Sequence, residues 1–181
     1  MTEPIIITSD LTENLNSATR AEIIQLCIAA HQEEDFKNLF SYVPVGGWHF
    51  LAYHHDQVVS HAMVTTRWLQ PAGHELLRTA YIDAVATLPI YQRQGYGSAV
   101  MRQLAAEIDP EYEIACLETE RETFYERLDW QTWRGPLAGR LANGLIPTPK
   151  QRGIMILRLS QTPELDLDSM LTIESQTGRI W

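Results

Sequence analysis

The sequence predicts an α/β chain, a central mixed β-sheet flanked by helices. Three observations lead there. Residues 48–88 hold three consecutive strand-like runs with polar turns between them, the pattern of an antiparallel meander. From Gly95 the apolar period changes from two to that of a helix. A strand-like run, Glu113 to Leu117, then follows, and a meander leading into a β-α-β crossover requires both parallel and antiparallel neighbours.

Taken in order, Ile5 to Thr8 is a short β-branched run suited to a first strand. Thr19-Arg20-Ala21-Glu22 has the spacing of a capping box, and Ile23, Ile24, Cys27, Ile28 and Ala30 fall at helical intervals, which predicts a helix over 18–31. A second helical piece covers 33–42, broken by Val43-Pro44-Val45-Gly46-Gly47. The meander strands are Trp48 to Tyr53, Gln57 to Trp68 and Leu77 to Leu88, with turns at His54–Asp56 and Pro71–His74. Val100, Met101, Leu104, Ala105 and Ile108 share one helical face, and Asp109-Pro110 ends that helix. Beyond the strand at 113–117, Thr119-Glu120-Arg121-Glu122 repeats the capping-box pattern before a short helix carrying Phe124, Tyr125 and Leu128. Gln131 to Arg134 suits a strand, Gly135 to Gly153 reads as a long Gly/Pro-rich loop, Ile154 to Leu159 returns to strand, and Leu171 to Trp181 reads as a last edge strand.

Length and composition narrow the classes. The 181 residues favour one domain, 1–181, large enough for its own core without disulfides or a metal. No apolar run reaches the ~18 residues of a membrane helix. The opening Met1-Thr2-Glu3-Pro4 has no basic stretch of the kind that begins a secretory signal, so a cytoplasmic location is expected. Cys27 and Cys116 lie within apolar patterns and read as small buried hydrophobes. The histidines His49, His54, His55 and His61 lack metal-ligand spacing, and no metal is expected. The formal net charge of −9 disfavours nucleic acid and anionic membranes as partners and suits a cationic substrate.

The chemistry concentrates in Tyr81 to Ser98, where an apolar strand runs through a polar, glycine-containing loop into an amphipathic helix. The first N–H groups of a helix have no partner within it and carry partial positive charge, so they attract anions. Gly95 and Gly97 let a ligand approach that backbone, and Arg93 adds a full positive charge, which makes Gln92, Arg93, Gln94, Gly95, Tyr96, Gly97 and Ser98 a candidate pyrophosphate site. A Rossmann dinucleotide site is the rival, but the third glycine and an early parallel β-α-β unit are missing.

Gln92-x-x-Gly95-x-Gly97, following Val85-Ala86-Thr87, resembles the acetyl-CoA signature of the GNAT superfamily of N-acetyltransferases, and the order of elements is similar to that family along nearly the whole chain. The resemblance implies the GNAT fold, acetyl-CoA as co-substrate and acetyl transfer to an amine. It implies that the backbone N–H groups of Val85, Ala86 and Thr87 receive the thioester carbonyl and pantetheine, and that Tyr125 gives a proton to the departing CoA thiolate. A narrower resemblance is to the aminoglycoside 2′-N-acetyltransferases. It rests on Asp35-Phe36, Gly46-Gly47-Trp48-His49, Tyr81-Ile82-Asp83, Tyr125 before Leu128-Asp129-Trp130, and Gly178-Arg179-Ile180-Trp181. The chain departs from that group in lacking a second acid within Lys37 to Phe40, in having Asp83 where Glu is usual, and in having Arg179 where the group has Asp.

An amine must lose its proton before it attacks, and a nearby carboxylate accepts that proton through water. Asp83 is the candidate base, and strand alternation places Tyr81, Asp83, Val85 and Thr87 on one face. The alternative for Asp83 is a structural pair with an arginine such as Arg78. Asp35, Glu118 and the Trp181 carboxylate are candidate contacts for the ammonium groups of an acceptor. The expected partner is a small-molecule amine, with a homodimer open. Two other readings stay open as well, a peptide or protein N-acetyltransferase and a non-catalytic acyl-CoA-binding module; presence of both Asp83 and Tyr125 argues against the last.

Overall fold

The structure is a computed structural model that describes residues 4–181; Met1, Thr2 and Glu3, read above as a non-basic start, lie outside the described residues. The strands are β1 (Ile6–Leu11), β2 (Trp48–His54), β3 (Gln57–Pro71), β4 (Leu77–Thr87), β5 (Ile114–Glu118), β6 (Gln131–Thr132), β7 (Leu137–Leu141), β8 (Gly144–Pro147), β9 (Ile154–Arg158) and β10 (Leu171–Glu174). The helices are α1 (Ser17–His31), α2 (Leu39–Tyr42), α3 (Tyr96–Ile108) and α4 (Glu122–Glu126), and short 3-10 turns at Glu34–Asn38 and Pro89–Tyr91 complete the set that concerns the site. The hydrogen-bonded strand order is β6-β9-β5-β4-β3-β10-β7-β8, with β2 also on β3 and β1 on β2. The sheet is mixed: β10 runs parallel to β7, whereas β2–β3, β5–β9 and β7–β8 are antiparallel.

The chain divides into two compact units, and β3 and β4 run from one into the other. The first comprises the residues up to Thr65 together with Ile82–Glu107. Its apolar centre joins Ile23, Leu26 and Cys27 of α1 to Leu51, Met63 and Ala86 of the sheet. The second comprises Thr66–Tyr81 and Ile108–Trp181. Its centre joins Leu69, Tyr81, Cys116, Ile156, Leu171, Ile173 and Trp181. Arg67, 1% exposed, is neutralised there by Glu174 at 3.1 Å and lies against the Tyr81 ring. Both cysteines are buried, as their apolar surroundings suggested, and neither is in a disulfide.

Four sequence expectations need correction. α1 starts earlier than predicted and is capped by Asn16, whose side chain accepts from the Thr19 N–H at 2.9 Å, so Thr19 is inside the helix and not its cap. Thr119 does not cap α4 either: its hydroxyl accepts from the Arg121 N–H at 2.9 Å, and Glu122 accepts from the Thr132 hydroxyl at 3.0 Å. Residues 135–153 are not one loop, because β7 and β8 form a hairpin within them. Gly139 is needed there: a Cβ would stand 2.8 Å from a methyl of Ile180. The final strand is interior, with β3 on one side and β7 on the other, because Leu171 and Ile173 are fully buried.

Candidate active site

β4 enters the first unit carrying Asp83, Ala84, Val85, Ala86 and Thr87, followed by the loop and α3. The regular strand is interrupted at Ala84, whose φ of +50° lies in the left-handed region that a residue with a Cβ adopts at a cost of about 1–2 kcal/mol. Strict alternation through Asp83 and Val85 therefore does not hold as the sequence suggested. Carbonyls on this stretch accept from side chains: Ala84 from His61 Nδ1 at 2.8 Å, Ala86 from the Ser60 hydroxyl at 3.0 Å and Thr87 from Gln92 Nε2 at 3.1 Å. Gln92, the first residue of the motif, thus ties the loop back to the strand end. Arg78, suggested as a structural partner for Asp83, directs its guanidinium to Glu111 at 3.7 Å and over the Tyr112 ring.

The loop between β4 and α3 has two left-handed residues, Arg93 at φ +60° and Gly95 at φ +94°. A Cβ built on Gly95 meets only the Ile5 side chain, at 3.9 Å, so the space before the helix N-terminus is open to a ligand. Tyr96 opens α3 and exchanges a hydrogen bond with His54 Nδ1 at 2.8 Å. Gln94 donates to the Ile90 carbonyl at 2.7 Å, Gly97 and Ser98 lie in the first turn of α3, and Asp35 is exposed on the 3-10 turn Glu34–Asn38.

The second unit holds Glu118, Tyr125 and Trp181. Tyr125 is 7% exposed on α4, edge-on to Phe124 and Trp130, and burial pushes its phenol up to about 12. Glu118 ends β5 and lines a cleft of about 670 Å³ with Glu120, Glu122, Lys150, Gln151 and Arg152. Trp181 lines a second cleft, of about 450 Å³, with Gln176 and Arg179. Thr148 and Gln151 border both clefts. Gln151 donates to Glu118 at 2.6 Å, and Trp181 Nε1 donates to the Thr148 hydroxyl at 3.0 Å. The structure thus brings Glu118 and Trp181 around one segment, 148–151, which the sequence offered only as loop.

Sequence reasoning did not single out Thr148 or Gln151, and it weighed His49 and His61 only as metal ligands, with His49 also part of the Gly46-Gly47-Trp48-His49 resemblance. The two histidines had one available signal: each sits in a largely apolar stretch of its strand, 48–53 and 58–64, at positions 0% exposed in the fold. Among the described residues no group of three or more metal-ligating side chains is gathered, and no helix is long and apolar enough to cross a membrane.

A family model described as an acetyltransferase (GNAT) domain matches residues 13–133, more than half of the chain. An aminoglycoside 2′-N-acetyltransferase of Mycolicibacterium fortuitum is 27% identical over 186 aligned residues, covering 99% of this chain and 92% of that protein. Among solved structures, the GNAT family N-acetyltransferase YhbS of Escherichia coli in complex with CoA superposes with a TM-score of 0.66 at 12% identity, covering 99% of this chain and 96% of that one. Eis1 of Mycobacterium abscessus gives a TM-score of 0.60 at 16% identity over 74% of this chain, which spans only 32% of the length of that protein. The chain belongs to the GNAT family of N-acetyltransferases, whose members use acetyl-CoA.

Proposed function

We propose that this enzyme transfers the acetyl group of acetyl-CoA to a primary amine of a small cationic molecule, with aminoglycosides the first class to consider. The observation that carries the acceptor class is the cleft of about 670 Å³ with Glu118, Glu120 and Glu122 on its wall. Three carboxylates favour an acceptor bearing several ammonium groups. The 27% identity to an aminoglycoside 2′-N-acetyltransferase supports the same class. Lys150 and Arg152 on the same wall moderate that attraction.

In this reading the pyrophosphate rests on the N–H groups of Arg93 to Ser98, where the helix N-terminus and the Arg93 charge offset its negative charge. The N–H groups of the Val85–Thr87 stretch hold pantetheine and polarise the thioester carbonyl. Asp83, through water, takes the proton of the reacting ammonium group. The freed nitrogen lone pair attacks the thioester carbon, a C–N bond forms and the C–S bond breaks. Tyr125 protonates the sulfur as it leaves; its raised pKa keeps the phenol neutral and able to donate at neutral pH. Asp35, Glu118 and Trp181 serve the ammonium groups that do not react.

The test is thiol release from acetyl-CoA over a panel of aminoglycosides, linear polyamines and peptides. Turnover of aminoglycosides or polyamines above peptides is expected. Turnover confined to peptides would replace this reading with the peptide one, and binding of acetyl-CoA without turnover of any amine would favour a non-catalytic module.

A further inference from the structure

A buried polar chain crosses the first unit from Thr12 to Ala84. The Thr12 hydroxyl lies 3.0 Å from His49 Nε2, His49 Nδ1 lies 3.0 Å from His61 Nε2, and His61 Nδ1 lies 2.8 Å from the Ala84 carbonyl. Thr12 is 6% exposed and both histidines 0%. Polar groups are rarely buried this deeply without a structural or functional demand.

The directions of these bonds follow from proton counting. A carbonyl only accepts, so His61 must carry its proton on Nδ1. Burial keeps that ring neutral, so its Nε2 is an acceptor, which requires the proton of His49 on Nδ1. The Nε2 of His49 is an acceptor in turn, and the Thr12 hydroxyl donates to it. The other neighbour of that hydroxyl, the Gly47 carbonyl at 3.0 Å, already receives the Thr12 N–H at 2.7 Å. Every link is satisfied with both rings neutral, and all three donors point toward Ala84. Aligned bonds of this kind polarise and strengthen one another.

The Gly46-Gly47-Trp48-His49 motif acquires a physical meaning here. A Cβ on Gly47 would stand 2.6 Å from the Thr12 hydroxyl oxygen, so only glycine admits Thr12 beside His49. Arg20 fixes the same corner by donating to the Thr12 and Leu15 carbonyls at 2.6 and 3.0 Å, and Phe40 packs against the His49 ring. At the far end, the Cys27 thiol also approaches the Ala84 carbonyl, at 4.0 Å.

Ala84 is the left-handed residue of β4, set between the candidate base Asp83 and the candidate thioester donor Val85. Strained backbone persists only where its surroundings over-determine it. We propose that Thr12, His49 and His61 are positioning residues that hold the Ala84 kink and so fix the Val85 N–H where it meets the acetyl carbonyl. This rests on the reading of Val85 given above. It assigns the histidines no contact with substrate; they act through the Ala84 carbonyl alone.

Two measurements test it. Nitrogen-15 correlation spectra of the wild-type histidine rings should show His49 and His61 both as neutral Nδ1–H tautomers at pH 7. An Nε2–H tautomer or an imidazolium at either position would overturn the chain. Calorimetry should then compare acetyl-CoA with CoA in His61→Leu and His61→Asn. Asparagine can still donate to Ala84, whereas leucine cannot. The leucine variant should lose about tenfold in affinity for acetyl-CoA, about the worth of one hydrogen bond, and stay within about twofold for CoA. The asparagine variant should stay within about threefold for both. Equal loss of both ligands, or of neither, in the leucine variant would leave the histidines as core filling. If the wild type binds neither ligand, the cofactor reading fails, while the ring spectra still decide the histidine chain.

Discussion

Arg179 Nε donates to the main-chain oxygen of Trp181 at 2.7 Å, and the same guanidinium lies 5.1 Å from the centroid of the Tyr81 ring. The arginine that stands where aminoglycoside 2′-N-acetyltransferases have an acid is therefore turned onto the group expected to meet an ammonium ion. Its positive charge disfavours a polycation in the cleft that Arg179 and Trp181 both line. Arg179→Ala should raise kcat/KM for an aminoglycoside by about one order of magnitude, equivalent to ~1.4 kcal/mol of transition-state binding. Arg179→Lys should leave it within about threefold. A fall in the alanine variant at an unchanged melting temperature would show that Arg179 helps the acceptor to bind.

Tyr125→Phe removes the proposed acid and keeps the ring contacts with Phe124 and Trp130. It should lower kcat by about 10²-fold, at the low end for a positioned acid, and change acetyl-CoA affinity by less than about twofold. Since burial pushes the phenol up to about 12, the wild-type rate should show no loss assignable to this group between pH 7 and 10. Steady-state kinetics across that range, on both proteins, makes the check. Equal kcat would leave Tyr125 a packing residue.

At Gly95 two substitutions separate shape from charge. Any side chain is strained at φ +94° and projects into the open space before α3. Gly95→Ala should weaken acetyl-CoA binding by about tenfold, and Gly95→Asp by about 10²-fold or more, because its carboxylate would face the pyrophosphate. Titration calorimetry reads both. Equal affinities in the two variants would place the pyrophosphate elsewhere.

The buried histidines predict acid sensitivity. Burial, reinforced by Arg20, lowers His49 to about 4; burial, reinforced by His49, lowers His61 to about 3; Asp10 opposes the shift at His49 and the Ala84 carbonyl opposes it at His61. The unfolded chain takes up these protons near pH 6.5 and the folded chain does not. Their contribution to stability is therefore complete above pH 6.5 and is lost as pH falls toward 4 and 3, on the order of 2 kcal/mol per histidine by pH 5. Melting temperatures at pH 7, 6 and 5 should fall steeply in the wild type and less steeply in His61→Asn. Parallel curves would mean that the imidazoles titrate normally in the fold.

The sequence by itself determined the parts of the protein whose physics is local. Apolar period two over 48–88 and period 3.6 after Gly95 locate β2, β3, β4 and α3, because the side-chain direction of a strand or helix repeats along the chain. The glycines at 95 and 97 and the helix behind them mark the proposed cofactor loop, because backbone freedom and the unpaired N–H groups of a helix start are also local. Only the tertiary structure decided which partners those elements meet. Asn16 and not Thr19 caps α1, since the cap is whichever side chain reaches the helix end once the entering strand is placed. The 135–153 segment becomes a hairpin because Gly139 is packed under Ile180, 41 positions away, and β10 becomes interior because Leu171 and Ile173 find β3 and β7. His49 and His61 lie 12 residues apart on neighbouring strands and meet through β2–β3 pairing, and their bond to Ala84 needs a backbone φ that no local propensity of alanine predicts. Long-range packing supplies the free energy that holds such a residue in the left-handed region, and that energy is not written in the neighbouring sequence.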